Sequence, residues 1–279
     1  MSLGIAFKGP EGIVLAADSR VTLMAQLQMG PPGQGTFPGQ TILAPATYDN
    51  ATKLLKVKGQ DYVGAVTFGV GAIGAQAPRT VHSFLPEFEA KLGEEKRLSV
   101  EAFATRLSDF FLGQWNALMP TTNQPQEQIV FFVGGIDLDA PYGRVFEVHI
   151  PSAPKPKEWF ATPGEFGAIW GGQREFVDRL VQGYDGRTLD IIKSEVTLSP
   201  DVEQRLREKL GALTVAIPYQ FLPLQDSIDL SIFLIRTTIT LQTWQIGVRG
   251  VGGAIDVATI TRQGGFQPVQ QKAIRGEMG

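Results

Sequence analysis

Two apolar segments at the start of the chain constrain the fold more than any other feature. Residues 2–8 and 12–20 are rich in Ile, Val, Leu and Ala, and the turn sequence Gly9-Pro10-Glu11-Gly12 joins them. This pattern predicts a β-hairpin that begins almost at the first residue. Chain ends usually fray, so an end that runs directly into a buried strand is held in place. We therefore expect Ser2 to have a defined position.

Ser2 combines two groups that nucleophilic catalysis uses, provided that Met1 is removed. Cells usually trim an initiator Met that precedes a small residue, and Ser2 would then carry a hydroxyl and a free α-amine. An α-amino group has a pKa of about 7.7–8.0, so part of it is neutral at neutral pH and can accept the hydroxyl proton. An N-terminal Ser or Thr thus supplies its own general base.

Three segments resemble proteasome β-subunits, a family of N-terminal nucleophile hydrolases. The run SLGIAFKGPEGIVLAADSR, residues 2–20, is similar to the start of those subunits without a gap, and Ser2 falls on their catalytic Thr. Residues 50–57, NATKLLKV, resemble the strand that carries the active-site Lys, which would be Lys53. Residues 67–74, TFGVGAIG, resemble the segment whose backbone N–H forms the oxyanion hole.

The resemblance implies a catalytic set. Ser2 would be the nucleophile, Lys53 as an ammonium would lower the proton affinity of the Ser2 amine and hydroxyl, and Asp18 would hold Lys53. Arg20 would support this site, and spacing leaves the choice between Gly69 and Gly71 open for the oxyanion N–H. The alternative for Asp18 and Lys53 is an ordinary structural ion pair.

Three positions depart from the family pattern. Gly171 stands where the family has a catalytic Ser, and Val248 and Val251 stand where it has an Asp and a Ser before a Gly-Gly turn. These differences favour an alternative in which the protein forms a ring with little or no peptidase activity. A third hypothesis is that the same machinery hydrolyses small amides.

Composition excludes several classes of protein. The 279 residues include 25 Lys and Arg against 28 Asp and Glu, and this balance is not typical of a nucleic-acid-binding surface. The absence of Cys excludes disulfides and thiolate chemistry, and with only His82 and His149 we expect no metal site and no cofactor. The chain has no apolar run long enough to span a membrane and no signal-peptide pattern, which predicts a cytoplasmic protein without a membrane partner.

Periodicity and turn residues predict the structure of the remaining segments. Residues 26–49 look like a Gly- and Pro-rich insertion that forms a plain surface loop, with narrowing of the substrate path or contact with a neighbouring subunit as the alternative. Periodicity predicts helices over residues 80–96 and from Ser99 onward, and residues 151–157 read as a linker. His82 and His149 are expected to be ordinary structural residues.

The C-terminal part carries two further predictions. Residues 185–226 form a divergent segment with a helix that starts at Ser199. Residues 227–245 would pass as a strand on propensity, but the resemblance favours a helix. We predict that its inward face carries Leu230, Phe233, Leu234, Thr237 and Leu241.

The resemblance implies one architecture for the whole chain, residues 1–279. It is an α+β fold, the four-layer αββα sandwich of N-terminal nucleophile hydrolases, in a single domain. It further implies self-association into stacked rings and a peptide or unfolded-protein substrate, and it leaves an ATPase partner open.

Overall fold

A computed structural model describes residues 2–28, 41–74, 77–119, 128–273 and 276. Its first sheet has five antiparallel strands in the order β10-β1-β2-β11-β12. The strands are β1 (Leu3–Lys8), β2 (Ile13–Asp18), β10 (Gly167–Gly172), β11 (Ile255–Thr261) and β12 (Gly265–Gln270). The N-terminal hairpin is confirmed as β1 and β2. Sequence reasoning missed β12, whose Gln and Pro residues disfavour a strand by propensity.

The second sheet also has five antiparallel strands, in the order β5-β6-β7-β8-β9. They are β5 (Leu54–Leu55), β6 (Val63–Gly69), β7 (Ile129–Gly135), β8 (Arg144–Ile150) and β9 (Ala153–Trp159). The linker predicted at residues 151–157 is wrong, because most of it belongs to β9. Pro is tolerated at a sheet edge, where no neighbour needs its missing N–H, and Pro154 and Pro156 lie in this edge strand.

Six α-helices are present in the described residues: α1 (Leu85–Leu92), α2 (Val100–Leu118), α3 (Glu175–Val181), α4 (Gly186–Glu195), α5 (Pro200–Gly211) and α6 (Leu224–Thr243). Ser99 caps α2 by accepting from the Ala102 N–H, and Ser199 caps α5 by accepting from the Val202 N–H. The helix predicted over residues 80–96 is shorter, since a 3₁₀ turn precedes α1. No helix of the described residues is both long and apolar enough for a membrane crossing.

The buried apolar residues fall into three groups that organise the sheets and helices. One group joins the facing sides of the two sheets, with Leu15 and Ile260 from the first and Val66 and Phe132 from the second. The second group packs α1 and α2 against the second sheet. The third packs α3 and α6 against the first sheet. The chain therefore has a mixed α+β fold in which helices cover two antiparallel sheets.

The inward face of α6 differs from the sequence prediction in two positions. The predicted helix is present and ends at Thr243, two residues earlier than expected; Leu234 is buried, but Phe233 and Leu241 are exposed. The buried stripe instead includes polar residues: Ser227, Ser231, Thr238 and Gln242. Ser231 and Thr238 satisfy their hydroxyls by donating to the carbonyl four residues earlier, which allows them inside a helix interface.

A separate two-stranded ribbon replaces the plain loop predicted at residues 26–49. Strands β3 (Val21–Gln28) and β4 (Thr41–Tyr48) pair over eight residues each, from Val21 opposite Tyr48 to Gln28 opposite Thr41. The middle of the predicted insertion, residues 29–40, lies outside the described residues. The loop prediction failed because it weighed Gly and Pro content and overlooked the alternating pattern on either side.

Candidate active site

Asp18, at the end of β2, is the centre of the candidate site. Its carboxylate accepts hydrogen bonds from the Lys53 ammonium at 2.6 Å and from the Leu3 N–H at 3.0 Å through Oδ1. Oδ2 accepts from the N–H groups of Arg20 at 3.1 Å and Gly252 at 2.9 Å. The side chain is fully buried. Four donors from four parts of the chain therefore fix the carboxylate in one orientation.

Lys53 lies just before β5 and is almost completely buried. Burial lowers the pKa of its ammonium, Asp18 opposes that shift, and the positive charge of Lys272 adds to it. The ammonium is therefore held by one strong partner, while its buried environment makes proton loss easier than in water. Its carbonyl accepts from the Thr67 N–H at 3.0 Å, which attaches the Lys53 backbone to β6.

Ser2 directly precedes β1 and is buried. Its carbonyl accepts from the Gln173 N–H at 2.8 Å, and the next residue, Leu3, is the one that donates to Asp18. Gly172 has φ +92°, and a Cβ there would lie 1.9 Å from the Ser2 carbonyl oxygen. Only Gly fits such an approach. The start of the chain is thus held from two sides, as the sequence predicted.

A small cavity brings two of the predicted catalytic residues, Ser2 and Lys53, together. It has a volume of about 30 Å³ and is lined by Ser2, Lys53, Thr67, Gly71 and Val21, among others. A space of this size admits a group the size of a water molecule. Asp18 lies behind Lys53 and does not line the cavity. The structure therefore places Ser2, Lys53 and Asp18 in one connected arrangement.

The two oxyanion candidates lie differently. Gly71 lines the cavity with Ser2, whereas Gly69 does not. The intervening Val70 N–H donates to the Gln128 carbonyl at 2.9 Å, so it is already used. A Cβ at Gly71 would lie 2.2 Å from a methyl group of Val21, which explains why this position holds Gly. Gly71 is the better placed of the two.

Arg20 supports the site from outside the cavity. Its guanidinium forms a bidentate pair with Asp49, with Nε to Oδ1 at 2.6 Å and Nη2 to Oδ2 at 2.8 Å. This pairing lowers the pKa of Asp49 and raises that of Arg20. The guanidinium also packs against Gly252, the residue whose N–H binds Asp18. Arg20 therefore fixes the loop that completes the Asp18 environment.

Comparison with known proteins identifies the fold. No family model matches the chain, and no curated protein matches it. A solved structure, the helical assembly of the Anbu complex from Pseudomonas aeruginosa, is similar over 99% of this chain and 88% of its own, with a TM-score of 0.55 and 13% sequence identity. The two chains share a fold. The similarity to the Anbu structure extends over nearly the whole chain, and at this identity it shows the fold alone.

The three positions that depart from the family pattern lie in three different environments. Gly171, whose added Cβ would lie 2.3 Å from Phe68, faces the aromatic core between the sheets. Val248 is half-exposed, and Val251 is buried in the core beneath α6. Gly171 lies in β10. At the end of this strand, Gly172 and Gln173 contact the Ser2 backbone.

Sequence reasoning missed a glutamine pair that connects Ser2 to the Asp18 loop. Gln242 donates through Nε2 to Gln173 Oε1 at 2.5 Å and accepts through Oε1 from the Val251 N–H at 2.9 Å. Gln173 in turn holds the Ser2 carbonyl, and Gly252, next to Val251, binds Asp18. The available signal was helical spacing, because Gln242 lies four residues after the buried Thr238.

Sequence reasoning also missed Thr67, a residue of β6 that lines the cavity beside Ser2. It is the only polar side chain of β6, whose sequence is VGAVTFG, and its hydroxyl is buried without a hydrogen-bond partner among the described residues. Because Thr67 lines the same cavity as Ser2, this hydroxyl is placed to bind a small polar group there. A lone polar residue in an otherwise apolar strand was the signal in the sequence.

A second buried ion pair lies behind the site. Lys272 Nζ pairs with Asp256, and it also donates to the Ser19 hydroxyl at 3.2 Å. Lys272 contributes to the lowered pKa of both Lys53 and His82, although burial is the main cause in each case. His149 contacts Glu147 and Gln128. No group of three or more metal-ligating side chains is present among the described residues.

Proposed function

We propose that this protein is a proteasome-like N-terminal nucleophile hydrolase with the four-layer αββα arrangement, and that Ser2 attacks amide bonds once Met1 is removed. One observation carries the proposal. Ser2 lines the same cavity as Lys53, whose ammonium lies 2.6 Å from the buried carboxylate of Asp18. An ion pair that served stability alone would not need to border a cavity beside a chain-terminal hydroxyl. The match of all three residues to the family motifs supports the same assignment.

The chemistry proceeds in two steps. The Ser2 α-amine accepts the proton of Oγ, and Oγ bonds to the carbonyl carbon of the substrate. The amide C–N bond then breaks, the amine returns the proton to the leaving nitrogen, and an ester on Ser2 remains. Water hydrolyses that ester with the same amine as base. Lys53 lowers the proton affinity of the Ser2 groups, Asp18 orients Lys53, and the Gly71 N–H stabilises the oxyanion.

The substrate and partners follow from the same family resemblance. We propose a peptide or unfolded protein as the substrate, and self-association of the chain as the form in which it acts. The Anbu structure is titled as a helical assembly, which supports self-association for a chain of this fold. We further propose stacked rings and a cytoplasmic location.

One observation favours a second candidate function. The cavity beside Ser2 has a volume of about 30 Å³, which admits a water-sized group and is too small for a large side chain of a peptide. The hydrolysis of small amides by the same Ser2 chemistry is therefore the second candidate. A ring without activity is the third, supported by the Gly that occupies position 171 against Phe68.

The first test is the intact mass of the untagged protein, which shows whether Met1 is removed. Ser2→Ala should then abolish the release of fluorophore from short peptide amides, whereas Ser2→Thr should retain it, because Thr keeps both hydroxyl and amine. Ser152→Ala, at an exposed serine, is the matched control.

Each result selects one candidate. Activity lost in Ser2→Ala and kept in Ser152→Ala supports the hydrolase. Release from a small acyl amide but not from longer peptides selects the small-amide enzyme. A protein that has lost Met1 and yet hydrolyses neither substrate would exclude both, and the ring without activity would stand.

A further inference from the structure

The hydroxyl of Thr67 is a buried polar group on the wall of the cavity beside Ser2. Thr67 is 5% exposed, and its Oγ1 has no hydrogen-bond partner among the described residues. Protein interiors rarely leave a buried polar group unpaired, because the group gives up its bonds to water without replacement. The hydroxyl therefore indicates that a small polar partner binds in this cavity.

The Lys53 ammonium has hydrogen-bonding capacity beyond its ion pair. An ammonium carries three N–H donors. In the part of the chain that the structure describes, one of them is used, by Asp18 at 2.6 Å. Lys53 is 6% exposed, so bulk solvent has little access to the other two donors. These donors of a buried cation therefore need a further acceptor.

The strand register places Lys53 and Thr67 side by side. In the pairing of β5 with β6, Leu54 lies opposite Val66. The Thr67 N–H donates to the Lys53 carbonyl at 3.0 Å, which continues this register by one residue. Side chains of directly opposite residues leave the two strands on the same face, with Cβ atoms about 4.5–5.5 Å apart. The unpaired hydroxyl and the lysine side chain thus border the same space.

The cavity that they border has the size of one water molecule. A cavity holds a water if it offers at least about 10–15 Å³ and roughly two to four polar partners. This cavity has about 30 Å³, and Ser2 lines it beside Lys53 and Thr67. Its volume and its polar lining therefore both fit a single water molecule.

We propose that this cavity holds one ordered water molecule, which accepts a hydrogen bond from the Lys53 ammonium and bonds to the Thr67 hydroxyl. The hydroxyl can donate to the water or accept from it. A water that accepts from an ammonium favours the charged form of that group. Thr67 is then a positioning residue that acts on the chemistry of Ser2 through Lys53. That role rests on the proposed function of Ser2, whereas the water site itself does not.

The water adds to a balance of charges around Lys53. Burial lowers the pKa of the ammonium, the carboxylate of Asp18 opposes this, Lys272 lowers the pKa further and Asp256 raises it. The α-amine of Ser2, once it is the chain end, would be one more titrating group on the cavity wall. Loss of the water would remove a group that favours the ammonium, and the pKa of Lys53 would fall further.

Thr67→Val is the main test variant, because it keeps the shape of the side chain and removes the hydroxyl. At neutral pH we expect it to melt at a lower temperature than the wild type, and Thr67→Ser to melt near the wild type. Thr22→Val is the matched control, because the Thr22 hydroxyl is likewise buried without a partner among the described residues but does not line the cavity. Removal of a hydroxyl that has no partner should leave the melting temperature unchanged or raise it.

Two further measurements identify the water and its link to Lys53. A crystal structure of the wild type should show one water within hydrogen-bond distance of both Lys53 Nζ and Thr67 Oγ1, and that of Thr67→Val should not. The difference in melting temperature between the wild type and Thr67→Val should shrink as the pH rises, because the bond to the water is strongest while Lys53 is charged. A hydroxyl with a purely structural role would give the same difference at every pH.

The outcomes separate this inference from the proposed function. A Thr67→Val protein that melts at or above the wild-type temperature, or a wild-type crystal structure without this water, overturns the water site whatever Ser2 does. If Ser2→Ala shows that the protein is a hydrolase, the alkaline fall of kcat/KM should begin at lower pH in Thr67→Val. A rate reduced equally at every pH overturns the role in catalysis. A water site in a protein that hydrolyses nothing supports the site and overturns that role.

Discussion

Two hairpins follow one another in this chain, and they have opposite surroundings. β1 and β2 lie in the middle of the first sheet, between β10 and β11, and every one of their residues is buried. β3 and β4 begin two residues later and form a sheet of two strands alone. Both hairpins have regular antiparallel pairing. The comparison teaches that strand pairing is a local property, whereas the stability of a strand depends on what covers it.

The two hairpins also differ in their charged residues. At the end of β2, Asp18 is bound by four donors, and the ion pair with Lys53 is buried on both sides. Along β3 and β4 no charged residue occurs at all. Arg20 and Asp49 mark the boundary between the two regions and clamp the base of the ribbon. A reactive group needs rigid surroundings, and only the first hairpin supplies them.

Lys53→Ala should have the largest effect, in the region of the first hairpin. It leaves the Asp18 carboxylate buried without its ammonium partner, and breaking a buried pair in this way costs about 3–5 kcal/mol. Urea unfolding measures the loss, with Lys58→Ala at an exposed lysine as the control, expected within about 0.5 kcal/mol. A loss below about 1 kcal/mol for Lys53→Ala would show that the pair contributes little and that the contrast between the hairpins is overstated.

Gly172→Ala should come next, because it pushes the start of β1 away from β10. The φ of +92° alone costs about 1–3 kcal/mol for a residue with a Cβ. The contact with the Ser2 carbonyl oxygen adds to this. Gly113→Ala is the control of opposite sign, since Gly113 lies inside α2 with open space around it. That change should stabilise the protein by about 0.5–1 kcal/mol.

The result is read as the melting temperature of both variants and, if the protein is active, as the rate of hydrolysis. Gly172→Ala should lower both quantities. Equal stability of Gly172→Ala and the wild type would mean that the contact between residue 172 and the Ser2 carbonyl relaxes at little cost. The first hairpin would then be less rigid than the comparison with β3 and β4 implies.

The smallest effect is expected at the boundary, from the pH dependence of the Arg20–Asp49 pair. The hydrogen bond from Arg20 lowers the pKa of Asp49 below its ordinary value of 3.8. The stabilisation is therefore complete above pH 3.8 and is lost as the pH falls through the lower, folded value. Because the Asp49 side chain is 46% exposed, the effect should stay below about 1 kcal/mol.

Asp49→Asn measures how much the Arg20–Asp49 ion pair contributes to the free energy of unfolding. The difference in unfolding free energy between wild type and Asp49→Asn should be constant at neutral pH and shrink in acid. A difference that grows as the pH falls would contradict the assignment of the lowered pKa to Arg20.

Elements with strong local signals were predicted correctly. The turn at residues 9–12, the Ser99 and Ser199 caps and the amphipathic spacing of α2 each depend on neighbouring residues, so sequence alone was sufficient. β9 and β12 were missed because their Pro, Lys and Gln residues suit a strand only where a neighbouring strand already exists. Phe233 and Leu241 of α6 were placed inside by hydrophobicity, but the sheet covers a different stripe of that helix.

The sequence by itself determined the N-terminal hairpin, the identity of Ser2, Asp18, Lys53 and Arg20 as the residues to examine, and the mixed α+β class. The family resemblance already paired Lys53 with Asp18 across 35 positions of sequence, whereas tertiary structure alone decided that Gly71 rather than Gly69 lines the cavity with Ser2. It also decided that Gln242 joins Gln173 across 69 positions. The physical reason is that propensity, capping and periodicity act over a few residues, whereas burial and polar contacts arise only when distant segments pack together.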